Sequence, residues 1–240
     1  MFKLQVLAFG AHPDDVELSC GGTLIKHVAL GDKVGIADLT RGELGTRGTG
    51  KSRTKETANS TAIMKVHKRE NLQFKDGFFA NDAAHQMDVI RIIRKYQPDI
   101  VLCNAVSDRH PDHGRAAQLV SDSCFLAGLA KVKTKGSQGK SQDAWRPGLV
   151  VHYIQDRYTT PDFLVDISGY MKQKMDAIRA YKTQFFDPDS REPATYISSP
   201  VFLQSIENRA AEFGRVIGVD YAEGYTINRL FGVSDLRQLI

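Results

Sequence analysis

Two short segments carry the same triplet, His12-Pro13-Asp14-Asp15 and His110-Pro111-Asp112-His113. Imidazoles and carboxylates are the side chains that hold zinc and similar divalent ions, and a triplet this specific seldom recurs by accident in one chain. In the first copy Pro13 keeps His12 extended while the chain turns into a helix, so a carboxylate three residues on swings back beside the imidazole. His12 and Asp15 are therefore a ligand pair. Asp14 must point elsewhere along the turn, next to the metal but free of it, which is where a general base for an activated water belongs. The second copy supplies His113 as third ligand, with His110 near the same pocket and Asp112 available to orient an imidazole. Three protein ligands leave one coordination position open, the mark of a catalytic site, and the expected chemistry is hydrolysis. Two His and one carboxylate is equally the facial triad of iron oxygenases, so the donors alone leave zinc, Fe2+ and other divalent ions open.

The elements that must position these residues follow from the hydrophobic pattern. A strand is expected over Leu4 to Phe9, a helix from Val16 to Leu30 stopped by Gly31, and a second strand over Val34 to Leu39. A helix over Asp82 to Tyr96 ends before Pro98, a buried strand runs from Asp99 to Ala105, and another helix starts near Gly114. Strand patterns return at Leu149 to Ile154 and Phe163 to Ile167, followed by helices over Ser168 to Phe185 and Pro200 to Ile217. This alternation predicts one α/β domain over residues 1–240, a mostly parallel sheet with helices on both faces. Both His-Pro-Asp segments then follow strands, at the carboxyl ends where open parallel sheets bind ligands. The stretch Lys131 to Gln142 reads as a solvated loop.

Composition excludes several classes. Lys and Arg number 32 against 28 Asp and Glu, a net charge of +4, too balanced for a protein devoted to nucleic acid or a membrane surface. Cys20, Cys103 and Cys124 form neither a disulfide framework nor a cysteine zinc site, and Cys103 reads as core packing, which suits a reducing cytoplasm. No apolar run approaches the ~20 residues of a membrane span, and the N-terminus has no signal-peptide pattern.

One competing motif is present. Gly45 to Ser52 satisfies G-x-x-x-x-G-K-[ST], the phosphate-binding loop of nucleotide hydrolases. Its context is wrong: Thr40 to Leu44 separate it from the preceding strand, and the run Ile100 to Asn104 ends without the acidic residue that would serve magnesium. The basic surplus around it, Arg41, Arg47, Lys51, Arg53 and Lys55, suits an anionic substrate or a solvated loop equally well. Of the other histidines, His27, His67 and His85 read as surface residues and His152 as a core histidine.

These blocks resemble the LmbE-like zinc deacetylases of the PIG-L superfamily, which remove acetyl from N-acetylglucosaminyl groups. The resemblance rests on Ala11 to Asp15, Thr40-Arg41-Gly42-Glu43, the helix beginning near Arg53 with Glu56, Pro98-Asp99-Ile100-Val101, and Asp108 to His113. The segments Thr195-Tyr196 and Tyr221 to Tyr225 resemble the branch that deacetylates N-acetylglucosaminyl-malate in bacillithiol biosynthesis. The resemblance implies zinc on His12, Asp15 and His113, Asp14 as base, His110 as a charged stabilising imidazole, and Tyr196 as a donor to the oxyanion. It further implies a Rossmann-like fold and a homo-oligomer, a hexamer among its forms, acting on a small acetylated sugar. With a malate-bearing substrate, Arg53 and Arg109 are expected to clamp its carboxylates. Asp14, near the metal, should ionise well below neutrality, and His110 paired with Asp112 should set the alkaline limb of activity.

Overall fold

In a computed structural model of the chain, residues 2–136 and 139–239 are described. The first strand, β1 (Val6–Gly10), is buried along its whole length, as a continuous apolar run in the middle of a parallel sheet should be. Its alternating side chains feed two separate cores. Leu7 and Phe9 pack with Val89, Ile90 and Ile93 of α3 (Ala83–Tyr96) and with Leu119 and Val120 of α4 (Pro111–Ala127). Val6 and Ala8 pack on the opposite face with Val16 and Leu24 of α1 (Asp15–Ala29) and Met64 of α2 (Gly50–Met64). A sheet with helices on both faces is the result.

All the strands described belong to one seven-stranded sheet in the order β3-β2-β1-β4-β5-β7-β6. The strands β2 (Val34–Thr40), β3 (Lys68–Phe74), β4 (Ile100–Cys103) and β5 (Leu149–Tyr153) extend β1 in parallel, while β7 (Ala222–Ile227) runs antiparallel between β5 and β6 (Phe163–Asp166). From β1 the chain first builds outward through β2 and β3, then crosses back to add β4 and β5 on the other side. This switch point between β1 and β4 is where the two His-Pro-Asp loops emerge. The helices α5 (Met171–Arg179) and α6 (Pro200–Ile217) form a third core around Ile167, Met175, Leu203 and Ile206. The fold class is the expected one.

Three local expectations need correction. The helix read over Ser168 to Phe185 ends at Arg179, and Tyr181 and Phe185 enter the core from turns instead. Strands β3 and β7 were not foreseen, because their sequences lack alternating apolar residues. The Lys131–Gln142 stretch is pinned at one end, since the buried guanidinium of Arg94 donates to the carbonyls of Ala127, Leu129 and Val132 and to Thr134 Oγ1. Ser137 and Gln138 within that stretch lie outside the described residues.

Candidate metal centre

The β1–α1 loop holds its residues at close quarters. A side chain at Gly10 would meet His12 O at 3.0 Å and Asp15 Cβ at 3.3 Å, so any larger residue would crowd the folded-back loop. Asp14 caps α1 with φ 118°, a conformation that costs a non-glycine residue on the order of 1–3 kcal/mol. Its side chain does not cap the helix; it turns to Arg53, whose Nη1 donates to Asp14 Oδ2 at 3.2 Å and to Pro13 O at 2.9 Å. Adjacent carboxylates are thereby sent in different directions.

Asp15 stands between the two histidines: His12 Nδ1 is 3.6 Å from Asp15 Oδ2, and His113 Nε2 is 3.1 Å from Asp15 Oδ1. The other nitrogen of each ring is taken by a carboxylate. His12 Nε2 lies 3.0 Å from Asp76 Oδ1 and 3.4 Å from Asp112 Oδ2, and His113 Nδ1 lies 2.6 Å from Asp108 Oδ2. A carboxylate behind each imidazole is how metal-ligating histidines are oriented and made more basic. That pattern leaves His12 Nδ1 and His113 Nε2 on either side of the Asp15 carboxylate, donors of the chemistry that suits a divalent ion. His110 joins the same cluster, because one nitrogen from each of His12, His110 and His113 can lie within 4.8 Å of the others; His12, Asp76 and Asp112 make a second such group.

The electrostatics fit the same picture. Burial works against charge on His113, but Asp15 and the bonds to Asp108 and Asp15 prevail and raise it to about 9; His12, also buried, is raised by Asp112, Asp15 and Asp76. Burial would lift Asp15, yet the two imidazoles hold it well below the usual carboxylate range. A cation bound by these donors displaces the imidazole protons, so its affinity rises with pH. Burial pushes Asp14 up to about 7, with Arg53 pulling the other way. A cation beside it would lower that value, toward the acidic ionisation expected from the sequence.

Four residues behind the donors were not foreseen as part of the site. Asn104 Nδ2 donates to Asp15 Oδ2 at 3.0 Å, its Oδ1 accepts from the Ala11 amide, and Gln155 Oε1 accepts from both Asn104 and the Ala105 amide. Gln155 Nε2 reaches Asp15 Oδ1 at 3.3 Å, and Asp76 and Asp108 complete the set. Asn104 lies inside the strand expected over Asp99 to Ala105, a buried run where a polar side chain needs a partner, and that was the available signal. Asn104→Ala should loosen metal binding about 10- to 100-fold, as read by competition with a chromophoric chelator; an unchanged affinity would remove Asn104 from the site.

The remaining expectations fare unevenly. Asp112 does face an imidazole, His12, but it is the Asp112 amide, not its carboxylate, that bonds to His110, donating to Nδ1. Burial, with the nearby charges of His12 and His113, lowers His110 below its ordinary 6.5, the direction opposite to the charged imidazole that the sequence led us to expect. Tyr196, 60% exposed, has its hydroxyl on Asp156 at 3.1 Å and its ring under the Arg109 guanidinium. Arg109 itself is paired with Asp156 at 2.8 Å, and Arg53 is no solvated helix residue but a buried partner of Asp14. The Gly45 to Ser52 motif builds no phosphate cradle: Ser52 and Thr49 form the capping box of α2, the Gly48 amide is taken by Glu192, and Lys51 is an exposed residue of the first turn. His152 is the buried, hydrogen-bonded core histidine expected.

These groups open onto a cavity of about 730 Å³. Its floor is the donor set with Asp14 and His110, one wall is the β2–α2 loop with Arg53, and the opposite wall is α6 with Tyr158 and Tyr196. The model of the family described as GlcNAc-PI de-N-acetylase (PIG-L) matches residues 7–124. The chain is 31% identical over 234 residues to diacetylchitobiose deacetylase of Thermococcus kodakarensis, over 92% of this chain and 81% of that protein. Among solved structures, a conserved protein of Thermus thermophilus superposes with TM-score 0.85 and 34% identity, covering 96% of this chain and 98% of that one. The N,N'-diacetylchitobiose deacetylase of Pyrococcus horikoshii, solved with an inhibitor, superposes with TM-score 0.79 and 26% identity, covering 98% and 88%.

Proposed function

Since the chain belongs to the GlcNAc-PI de-N-acetylase (PIG-L) family, we propose that it is a zinc-dependent deacetylase of an N-acetylglucosaminyl conjugate, N-acetylglucosaminyl-L-malate in bacillithiol biosynthesis. The observation that carries this reading is the division of labour between adjacent carboxylates: Asp15 lies between two imidazoles, and Asp14 is kept out of that set by Arg53. His12, Asp15 and His113 would hold the ion. When bound, zinc supplies the Lewis acidity that makes water nucleophilic and the acetyl carbonyl electrophilic at neutral pH.

The chain's own residues do the proton work. Asp14 takes a proton from the attacking water as its oxygen bonds to the acetyl carbon, giving a tetrahedral oxyanion. His110 accepts from the Asp112 amide at Nδ1, so when neutral it carries its proton on Nε2 and can donate to that oxyanion. Asp14 then returns the proton to the amine nitrogen as the C–N bond breaks, releasing acetate and the free amine. Arg53 keeps the carboxylate aimed throughout. Tyr196, Arg109 and Asp156 form the outer wall, and Arg53 and Arg109 are each already paired with a carboxylate of the chain.

A cytoplasmic homo-oligomer is part of this reading, supported by the resemblance and by exposed Val106 and Phe125, which line a second surface cavity. Among the described residues no helix is long and apolar enough to cross a membrane. The test is a panel of acetate release from N-acetylglucosaminyl-malate, diacetylchitobiose, N-acetylglucosamine and, for phosphate release, ATP, with and without chelator. Chelator-sensitive acetate release, fastest on the malate conjugate, is the expected result. Magnesium-dependent ATP turnover without acetate release would overturn the reading, and equal rates on all three acetylated sugars would overturn its malate specificity.

A further inference from the structure

The arginines of the cavity are not equivalent. Among the described residues three line it, Arg53, Arg109 and Arg209. The first is paired with Asp14 and the second with Asp156, whereas Arg209, on the inner side of α6, makes no ion pair. Its one hydrogen bond runs from Nη1 to the Gln155 carbonyl, which leaves most of its five N–H donors unused. Facing the cavity from α1 is Ser19, 4% exposed, whose Oγ is buried without a partner although it too lines the cavity. Arg209 and Ser19 also border one small adjoining pocket, which places them together between α1 and α6.

A buried hydroxyl without a partner, as Ser19 Oγ is, is costly, and native structures rarely keep one unless something else completes it; the half-buried Arg209 beside it has N–H donors to spare. A guanidinium facing a cavity is completed best by a carboxylate, through two parallel charge-assisted bonds. We propose that Arg209, with Ser19 beside it, is the carboxylate-recognition point of the cavity, holding an acidic group on the aglycone of the substrate. The assignment deepens the deacetylase reading and rests on it for the sugar end of the ligand. It differs from the sequence expectation, which gave this role to Arg53 and Arg109; those two already have carboxylates of their own.

The site is also wired to the metal centre. Arg209 holds the Gln155 main chain, while the Gln155 side chain contacts Asn104 and Asp15. An aglycone seated on Arg209 is thus a single residue, Gln155, away from Asp15. The carboxylates nearest the guanidinium are Asp156, Asp108 and Glu223, each paired with another group and none at ion-pairing distance from Arg209.

The test uses ligands that are not turned over, so that binding is read apart from catalysis. Calorimetric titration compares glucosaminyl-malate with methyl glucosaminide for the wild-type chain, Arg209→Lys and Arg209→Met. The readout is the ratio of the two affinities within each protein. The wild type should prefer the malate conjugate at least tenfold, Arg209→Lys should keep part of that ratio, and Arg209→Met should bring it close to one. A ratio that survives in Arg209→Met, no preference in the wild type, or equal weakening of both ligands would overturn the assignment. The lysine variant preserves charge and stem, so it decides the matter if the methionine variant does not fold. A wild-type protein that shows the preference but releases no acetate from the acetylated conjugates would overturn the deacetylase reading and leave Arg209 as an acid-binding residue.

Discussion

Asp14→Asn is expected to keep its metal and lose about 10²- to 10⁴-fold in turnover, the range that a positioned general base contributes. His12→Ala and His113→Ala should lose both metal and activity, because each removes one of three donors and leaves the carboxylate behind it, Asp76 or Asp108, without its imidazole. Asn at position 14 preserves size and can still accept from Arg53, so the strained turn at φ 118° has no new reason to rearrange. Metal content after gel filtration and acetate release from the same samples make the comparison. If Asp14→Asn emerged metal-free, the roles of the two adjacent carboxylates would have to be exchanged.

The largest stability effect should come from a residue that touches no ligand. Arg69 makes a two-pronged contact with Asp38, Nε to Oδ2 at 2.8 Å and Nη2 to Oδ1 at 2.9 Å, and a third bond from Nη1 to Glu17 Oε1 at 2.6 Å. Glu17 is fully buried, Asp38 is 1% exposed, and Ser60 and Tyr181 also donate to Glu17 Oε1. Arg69→Met strands two buried carboxylates and should cost about 3–5 kcal/mol in urea denaturation. The pH dependence supplies a second readout. Burial works to raise Glu17, but Arg69 holds it below its ordinary 4.5, so its stabilisation is present above that value and fades as pH falls through the lower folded value. Without Arg69 the main opposition to burial is gone, both carboxylates retain protons in the fold, and each is costly to ionise. The variant should therefore lose stability as pH rises from about 4, the opposite slope to that of Glu17 in the parent. A loss under 1 kcal/mol, or a variant whose stability rises with pH, would contradict this account of the network.

What the sequence made legible was whatever depended on local spacing. The apolar runs of β1, β2, β4 and β5 announced a parallel sheet, and the two His-Pro-Asp segments announced the loops at its switch point. The elements that escaped notice are those whose polar residues find distant partners. Strand β3 reads Lys-Arg-Glu-Asn-Leu-Gln-Phe because it is an edge strand whose Arg69 serves two carboxylates 31 and 52 residues away. Strand β7 hides behind Glu223, which accepts from the Gly22 and Thr23 amides and from the buried ammonium of Lys174. Periodicity cannot reveal a buried ion pair. In the site, His12, Asp14, Asp15, His110 and His113 come from two short runs of sequence and Asn104 opens the loop that carries the second of them, whereas Asp76, Gln155 and Arg209 reach it from three other elements or loops. Arg53 and Arg109, expected to clamp the substrate, both line the cavity, and only the fold shows that each already faces a carboxylate.

The central claim is that one divalent ion sits between His12, Asp15 and His113 with Asp14 outside its ligand set. Crystals of the zinc-loaded protein, measured on both sides of the zinc absorption edge, test it most directly. The account predicts a single anomalous peak per chain bounded by His12 Nδ1, the Asp15 carboxylate and His113 Nε2. A peak instead between His12 Nε2, Asp76 and Asp112, or one that takes Asp14 as a ligand, would contradict it.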